Sequence, residues 1–337
     1  MIRPLVNGPV VIGHRGAPGY RPEHTRSSYD LAIAMGVDAV EPDVVVTRDG
    51  VLVVRHENEI GSTTDVAQHP EFASRRTTKV VGGEALTGWF TEDFTWAELA
   101  TLRCRERLPE LRPQSAAFDD SEPMLRLSDL IDLVQLRSRE RGSPIGLVVE
   151  IKHATFFADA GWQVETLAYD ELHTRAAGLP LVVESFESTV LDRLRERGLA
   201  AEYIYLLAAE GHPHDLLMTA GSAAPTYAQT AEPAGLDGLV GRFDGISVDK
   251  RMILAPDEAG RATGPSRVVD DAHQRGLRVY TWTCRPENRF LLPGFRNPGG
   301  EAAFGRFEDE WAVIRDAAVD GVFVDHADLG VAFFRGD

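Results

Sequence analysis

Three carboxylates stand at two places in the chain where an apolar, β-branched run ends. Glu41 and Asp43 lie two positions apart after one run, and Glu150 lies two positions before Lys152 after another. Alternate residues of a strand point to the same face about 7 Å apart. Carboxylates that share a pocket repel each other unless a cation neutralises them, and hard divalent ions take carboxylate oxygens. The spacing therefore indicates a metal site, while structural ion pairs between these carboxylates and arginines explain it equally well.

Two histidines are predicted to reach the same end of the fold. His14 directly follows the apolar run at residues 10–13, and His56 follows a second run after the turn sequence Arg48-Asp49-Gly50. Glycine adopts positive φ readily, so this turn is typical of a hairpin. Folding back around it puts position 55 or 56 opposite 42 or 43, which returns His56 to the level of the carboxylates. Two imidazoles there suit proton transfer near neutral pH, whereas a histidine at a strand end is also commonly a structural hydrogen-bonding group.

Two cations and an aromatic residue complete the candidate site. Arg15 offers a planar fork and Lys152 a point charge, and both suit a tetrahedral anion such as phosphate. The same two cations would also neutralise the acidic residues, and both roles can hold together. Trp282 ends a strand, where it could face an apolar or glycerol-like part of a substrate or simply be buried. Asp325 and His326 follow the last predicted strand and are interpreted as a pair that fixes a loop.

Eight short apolar runs alternate with helix-like segments along most of the chain. Five predicted helices, at residues 25–35, 128–141, 188–197, 266–275 and 308–320, are each followed by a glycine, as expected for helix ends. Eight βα units without a dinucleotide-binding glycine pattern predict a (β/α)8 TIM barrel, with a doubly wound open sheet as the alternative. In a barrel, catalytic groups lie at the carboxyl ends of the strands. The predicted strands are residues 10–13, 37–40, 146–149, 181–183, 201–207, 245–248, 277–280 and 321–324.

Length and composition narrow the function classes. The 337 residues carry a net charge of −17, which argues against nucleic acid as a partner and leaves a small-molecule substrate. No apolar run approaches the roughly 18 residues of a membrane span. We expect one barrel domain over residues 1–337, with an insertion at about 58–123 after the second strand and a long loop at 285–307. The first residues lack a secretory signal, so we expect a cytoplasmic protein, or a periplasmic or secreted one if a leader has been removed.

Taken together, these residues resemble the glycerophosphodiester phosphodiesterase family, in particular its longer, periplasmic-type bacterial branch. The similarity covers nearly the whole chain, and its most specific part lies in the first 57 residues. The matching motifs are His14-Arg15-Gly16, Pro22-Glu23-His24-Thr25, Glu41-Pro42-Asp43-Val44, His56, Glu150-Ile151-Lys152, Ser185-Phe186 and Tyr280-Thr281-Trp282.

The resemblance implies a (β/α)8 barrel enzyme that hydrolyses glycerophosphodiesters, such as deacylated phospholipids, to an alcohol and glycerol 3-phosphate. By position, Glu41, Asp43 and Glu150 would hold one divalent metal, with Ca²⁺ favoured over Mg²⁺. His14 and His56 would be the acid–base pair, and we favour His56 as the base and His14 as the acid. Carried over in the same way, phosphate binding falls to Arg15 and Lys152, and contact with the glycerol end falls to Trp282.

Three positions depart from the family pattern. His24 replaces a common asparagine, Glu57 a common aspartate, and Tyr205 a common glutamine near a strand end. The change at Tyr205 leaves the shape of the pocket rim open.

Three alternative functions follow from the same site. One alternative is a related phosphodiesterase acting on lysophospholipids, and another is a non-catalytic protein that binds glycerol phosphate. A barrel isomerase or aldolase is the third, for which Lys152 is the candidate Schiff-base lysine.

Overall fold

A closed barrel of eight parallel strands forms the centre of the molecule in this computed structural model, which describes residues 2–4 and 8–336. Around the barrel the strand order is β2-β1-β12-β11-β10-β9-β8-β7, and β7 pairs with β2 to close it. All eight predicted runs are strands, so the (β/α)8 prediction is confirmed. Within the described residues the strands are β1 (Val10–His14), β2 (Ala39–Glu41), β3 (Asp43–Val46), β4 (Leu52–Val54), β5 (Thr77–Val81), β6 (Glu84–Gly88), β7 (Gly146–Ile151), β8 (Leu181–Ser185), β9 (Glu202–Leu207), β10 (Gly245–Asp249), β11 (Arg278–Cys284) and β12 (Gly321–Val324).

The second barrel strand is interrupted and then continues into a hairpin. Pro42 has no N–H to donate, and it separates β2 from β3 while β7 pairs with both. Gly50, with φ of 78°, makes the turn into β4. Val44 pairs with Val54, and the amide of Arg55 donates to the carbonyl of Asp43. This register is the predicted one, because it sets position 56 beside Pro42.

Helices cover the outside of the barrel. The prediction for the helix before the last strand was too long, since it ends at Asp316 rather than 320 and Gly321 already belongs to β12. Thr25 caps the first helix by accepting from the amide of Ser28, as its side chain predicts. The α-helices in the described part of the chain are α1 (Arg26–Ala34), α2 (Trp96–Leu99), α3 (Pro113–Ala116), α4 (Leu127–Arg141), α5 (Ala154–Asp159), α6 (Val164–Arg175), α7 (Ser188–Glu196), α8 (His214–Ala220), α9 (Tyr227–Thr230), α10 (Pro233–Asp237), α11 (Lys250–Leu254), α12 (Val268–His273), α13 (Phe307–Asp316) and α14 (Ala327–Arg335).

The segment predicted as an insertion lies between β4 and α4. It carries the two-stranded sheet of β5 and β6, short helical turns, and the short helices α2 and α3. The 285–307 segment follows β11 and contains two 3₁₀ turns, Asn288–Phe290 and Pro293–Phe295. The antiparallel strand β4 returns towards the rim that β3 leaves at its carboxyl end, and β11 ends at the same rim, so both segments begin where a barrel carries its active site.

Two apolar cores hold the barrel together. The inner core fills the barrel with side chains such as Ile12, Val148 and Phe323, and the larger outer core packs the strands against the helices. In the described residues, no helix combines the length and apolar character that crossing a membrane requires. The opening residues, on which the expectation about a leader rests, fall partly outside the described part.

Candidate active site

A cavity of about 250 Å³ opens at the carboxyl ends of the barrel strands. One side is polar and the other is aromatic or apolar. Six of the eight predicted site residues line it, whereas Asp43 and Lys152 lie behind the wall and contact residues that do. The lining consists of His14, Arg15, Glu41, His56, Arg107, Glu150, Glu184, Phe186, Leu206, Trp282, Thr283, Arg285 and Phe323.

The three predicted metal ligands converge. Glu41, Asp43 and Glu150 are buried, and one oxygen from each lies within 4.8 Å of the others. Asp43 and Glu150 meet because they are register partners on β3 and β7. Within the described residues, Glu41 Oε1 and Asp43 Oδ1 have no hydrogen-bond partner. Buried carboxylate oxygens without donors are costly, so the trio fits a hard divalent cation.

The protonation behaviour of the trio reflects crowded negative charge. Burial and then the neighbouring Asp43 raise the pKa of Glu41 well above its usual range. Burial also raises the pKa of Glu150 to about 8, with Lys152 opposing the shift. Although burial opposes it, the charges of His56, Arg15 and Lys152 hold the pKa of Asp43 well below its usual range. Asp43 is therefore the fixed anion of the trio.

Arg15 leaves β1 through a tight, left-handed turn that aims it at the acidic residues. Its φ is 60°, and the next residue, Gly16, has φ of 93° and no room for a Cβ, which would lie 2.5 Å from the hydroxyl of Ser28. The amide of Arg15 donates to Glu41 Oε2 at 2.9 Å. Its guanidinium lies 3.2 Å from Asp43 and 3.0 Å from Glu23. This chain thus requires the glycine of the His-Arg-Gly motif for close packing.

Lys152 connects the carboxylates to His56. Its Nζ donates to Glu150 Oε1 at 2.8 Å, lies 3.8 Å from Asp43, and is 3.3 Å from His56 Nε2. The lysine is buried, and the surrounding carboxylates raise its pKa despite the opposing effect of burial. These contacts match the predicted role of neutralising the acidic residues. Lys152 does not line the cavity, but Glu150 and His56, which it contacts, do.

His14 is oriented by the residue that follows the last barrel strand. Its Nδ1 lies 2.6 Å from Asp325 Oδ1, and β1 and β12 are adjacent, so the contact follows from barrel closure. Burial, then the charge of Arg15, lowers the pKa of His14 to about 4 despite Asp325. The neutral ring with its proton on Nδ1 presents Nε2 as an acceptor. Asp325 also accepts from Arg112 and Arg285 of two irregular segments, as expected of a loop-fixing residue, and its contact with His14 is a further role that the sequence did not predict.

His56 reaches the same cavity from the hairpin. Its Nδ1 lies 2.8 Å from Glu57, whose other oxygen lies 2.9 Å from His153. Burial, then Arg15 and Lys152, lowers the pKa of His56 to about 3. Both candidate histidines thus line the cavity with Nδ1 on a carboxylate, and His56 Nε2 also faces Lys152 Nζ at 3.3 Å. The predicted supporting residue His24 donates from Nε2 to Asp43 Oδ2 at 3.0 Å.

The opposite wall is aromatic. Trp282 packs edge-to-face on Phe186 with ring centroids 5.6 Å apart, and its Nε1 donates to the carbonyl of Ser247. Leu206 faces the cavity, whereas Tyr205 packs against Phe243 on the other side of the strand. The departure at Tyr205 therefore does not change the cavity lining directly, because adjacent strand residues face opposite sides.

Sequence reasoning missed three charged residues that line the cavity. Glu184 is the register partner of Glu150, its Oε2 has no partner among the described residues, and burial with Glu150 raises its pKa well above the usual range. Its place at the end of β8 was a usable signal, since it follows an apolar run as Glu41 does. Arg107 and Arg285 come from irregular segments, where no periodicity marks them. Arg107 donates to Glu23 at 3.0 Å, beside Arg15.

The fold and this site define a barrel hydrolase of the phosphodiester-cleaving type, and comparison with known proteins identifies the family. The profile of the glycerophosphoryl diester phosphodiesterase family matches residues 14–329. The chain belongs to this family.

Individual members of the family are similar to this chain over nearly its full length. The chain is 31% identical to glycerophosphodiester phosphodiesterase GDPD6 of Arabidopsis thaliana, over 94% of this chain and 83% of the relative. It is 24% identical to a glycerophosphodiester phosphodiesterase of Haemophilus influenzae, over 97% and 90% of the two chains. A solved phosphodiesterase of Oleispira antarctica, in complex with the product sn-glycerol-3-phosphate, has the same fold with a TM-score of 0.63, 18% identity and 96% coverage of both chains.

Proposed function

We propose that this protein hydrolyses glycerophosphodiesters to an alcohol and glycerol 3-phosphate. The observation that carries the proposal is the meeting of His14, His56 and the carboxylates Glu41, Asp43 and Glu150 at one cavity. Family membership and the names of full-length relatives support the same activity. The aromatic wall of Trp282 and Phe186 gives the carbon skeleton of a glycerol end a surface to pack on.

The three carboxylates would hold one divalent cation, and we favour Ca²⁺ over Mg²⁺. A site of three carboxylates supplies up to six oxygens, which suits the larger coordination number of Ca²⁺, while Mg²⁺ usually keeps several waters and takes one or two carboxylates. When bound, such a cation neutralises charge that grows on the nonbridging phosphate oxygens. Arg15 lines the same side of the cavity and stabilises that charge as well.

The two histidines divide the proton transfers between them. In our assignment, Nε2 of His56 takes a proton from the nucleophile, either water or the glycerol 2-hydroxyl, as the new P–O bond forms. Attack by the 2-hydroxyl gives a cyclic phosphate, which water then opens to glycerol 3-phosphate. For the second transfer His14 takes up a proton at Nε2 from solvent when the anionic substrate binds, which makes it a cation. It then gives that proton to the leaving alkoxide as the other P–O bond breaks. Asp325, held in its charged form by Arg285, Arg112 and His14 despite its burial, stabilises a protonated His14, which suits the acid. Burial and the cations Arg15 and Lys152 keep His56 neutral before the reaction, so that its ring can accept a proton.

Turnover by an EDTA-treated sample tests the proposal. ³¹P NMR would follow glycerophosphocholine, glycerophosphoethanolamine and a lysophosphatidylcholine after Ca²⁺, Mg²⁺ or Zn²⁺ is added back. We expect glycerol 3-phosphate from the glycerophosphodiesters, most with Ca²⁺. Greater turnover of the lysolipid would favour the lysophospholipid alternative, and binding without turnover would favour the non-catalytic one.

Matched histidine variants make the assay specific to this site. His14→Ala and His56→Ala should each lower kcat about 10²- to 10⁴-fold. His273→Ala is the control, because His273 also pairs with a carboxylate, Asp320 at 2.8 Å, at the opposite end of the barrel. Near-wild-type turnover by both site variants would exclude the proposed roles.

A further inference from the structure

The inserted segment contains one buried arginine that contacts the carboxyl-terminal end of the barrel. Arg112 stands directly before α3 and is 5% exposed. Its Nε donates to Glu287 at 2.8 Å and its second terminal nitrogen donates to Asp325 Oδ2 at 2.6 Å. One guanidinium thus joins the insertion, the 285–307 segment and the end of β12. A planar fork with two charged acceptors holds both in a fixed geometry.

Asp325 connects Arg112 to His14 through hydrogen bonds on its two carboxylate oxygens. One carboxylate oxygen lies 2.6 Å from His14 Nδ1, and the other accepts from Arg112 and from Arg285 Nε, each at 2.6 Å. Hydrogen bonds on both oxygens fix the plane of the carboxylate. That plane in turn fixes the imidazole ring, keeps its proton on Nδ1 and aims Nε2 at the cavity.

The two arginines on Asp325 differ in what else they contact. Arg285 lines the cavity, so a substrate could touch it directly. Arg112 is not part of the cavity wall, and its polar contacts are with Glu287 and Asp325, which are each 1% exposed. Its guanidinium also lies over the ring of Phe290 at 5.9 Å, so the two carboxylates are the polar route by which Arg112 can affect turnover.

We propose that Arg112 is a positioning residue for His14, acting through Asp325. The proposal rests on the proposed function, because it assigns His14 a part in turnover. It also gives the inserted segment a role, since the insertion supplies half of the arginine pair that orients an active-site histidine.

A double-mutant cycle between Arg112 and His14 tests the proposal. Arg112→Met should lower kcat for glycerophosphocholine about 10- to 100-fold, as is usual for partners that orient active-site ligands, with KM changed less than about threefold. In the His14→Ala background the same change should lower kcat by less than about twofold, because the group it positions is gone. Equal losses in both backgrounds would overturn the proposal.

Two further variants separate positioning from simple charge balance. Arg112→Met leaves Glu287 as a buried, unneutralised carboxylate, and Arg112→Met combined with Glu287→Gln removes that charge. If the double variant regains wild-type kcat, Arg112 serves Glu287 alone and the proposal fails; we expect kcat to remain low. Arg112→Lys keeps the charge but loses the fork, so it should fold and show a smaller loss of kcat that again disappears without His14. Arg105→Met, which breaks an exposed pair with Asp120 in the same insertion, is the control with no expected change.

The ring itself provides a readout that does not depend on activity. ¹⁵N NMR of histidine-labelled protein reports which nitrogen of His14 carries the proton. We expect Nδ1–H in the wild type and a mixture of tautomers in Arg112→Met. An unchanged His14 spectrum in that variant would overturn the proposal, whereas absence of wild-type turnover would count against the proposed function instead.

Discussion

Removing one negative charge from the carboxylate trio should stabilise the metal-free protein and abolish its response to metal. The change is Glu41→Gln, which keeps an oxygen for the amide of Arg15. Two unit charges within 4.8 Å of each other repel by at least about 3.5 kcal/mol at an effective dielectric constant of 20. Because the pKa of Glu41 is raised, the metal-free protein avoids this repulsion only by taking up a proton that the unfolded chain lacks at pH 8, and glutamine removes either cost. Attraction to Arg15 and Lys152 offsets part of this, so we expect a gain of about 1–2 kcal/mol. For 337 residues this corresponds to roughly 1.5–3 °C in Tm.

The assay is thermal unfolding at pH 8 with EDTA and then with excess Ca²⁺. Binding at 100 times Kd stabilises the wild type by about 2.7 kcal/mol, or about 4 °C for a chain of this length. The Glu41→Gln variant should shift by less than about 1 °C under the same conditions. Glu106→Gln is the control, because Glu106 is a buried carboxyl in the insertion with Ser115 as its partner. Equal Ca²⁺ shifts in wild type and Glu41→Gln would refute the reasoning.

Three further predictions follow from other contacts. The first uses a p-nitrophenyl ester of glycerol phosphate, whose leaving group departs without needing a proton. On this substrate His14→Ala should lose far less kcat than on glycerophosphocholine, whereas His56→Ala should lose the same kcat on both substrates. The reverse pattern would exchange the two roles. Lys250→Met should lower the free energy of unfolding by about 3–5 kcal/mol in denaturant titrations, because it leaves Glu310 charged and buried. Adding Glu310→Leu should recover most of that free energy, and no recovery would exclude the buried pair as the cause. Burial lowers the pKa of His326, so the folded protein is most stable above pH 6.5, where this histidine is neutral in both the folded and the unfolded chain. Between pH 7 and 5 the unfolding free energy of the wild type should fall relative to that of His326→Gln. A constant difference between the two proteins would contradict this.

The barrel and the core of the site follow from local sequence signals. Continuous apolar runs mark strands buried on both faces, and a turn at Gly50 sets a hairpin register that is fixed once one face is buried. Because parallel strands end at the same rim, Glu41, Asp43 and Glu150 had to be neighbours if β3 lies beside β7. The position of His56 depends on the same register, so it was predictable as well.

Contacts that depend on tertiary packing were not predictable in this way. Asp325 and His14 meet because the last strand closes on the first, across 311 residues of sequence. Arg112 comes from an irregular segment with no periodic pattern to place its side chain. The sequence left open which of Tyr205 and Leu206 faces the cavity, because a strand register is ambiguous by one residue when both neighbours are apolar or aromatic.

Anomalous diffraction from crystals grown with Ca²⁺ or Mn²⁺ and glycerol 3-phosphate tests the central claim most directly. We predict one ion bound by oxygens of Glu41, Asp43 and Glu150, with the phosphate beside it and Nε2 of both His14 and His56 within hydrogen-bonding distance of phosphate oxygens. An ion bound elsewhere, or a phosphate that neither histidine can reach, would contradict the account.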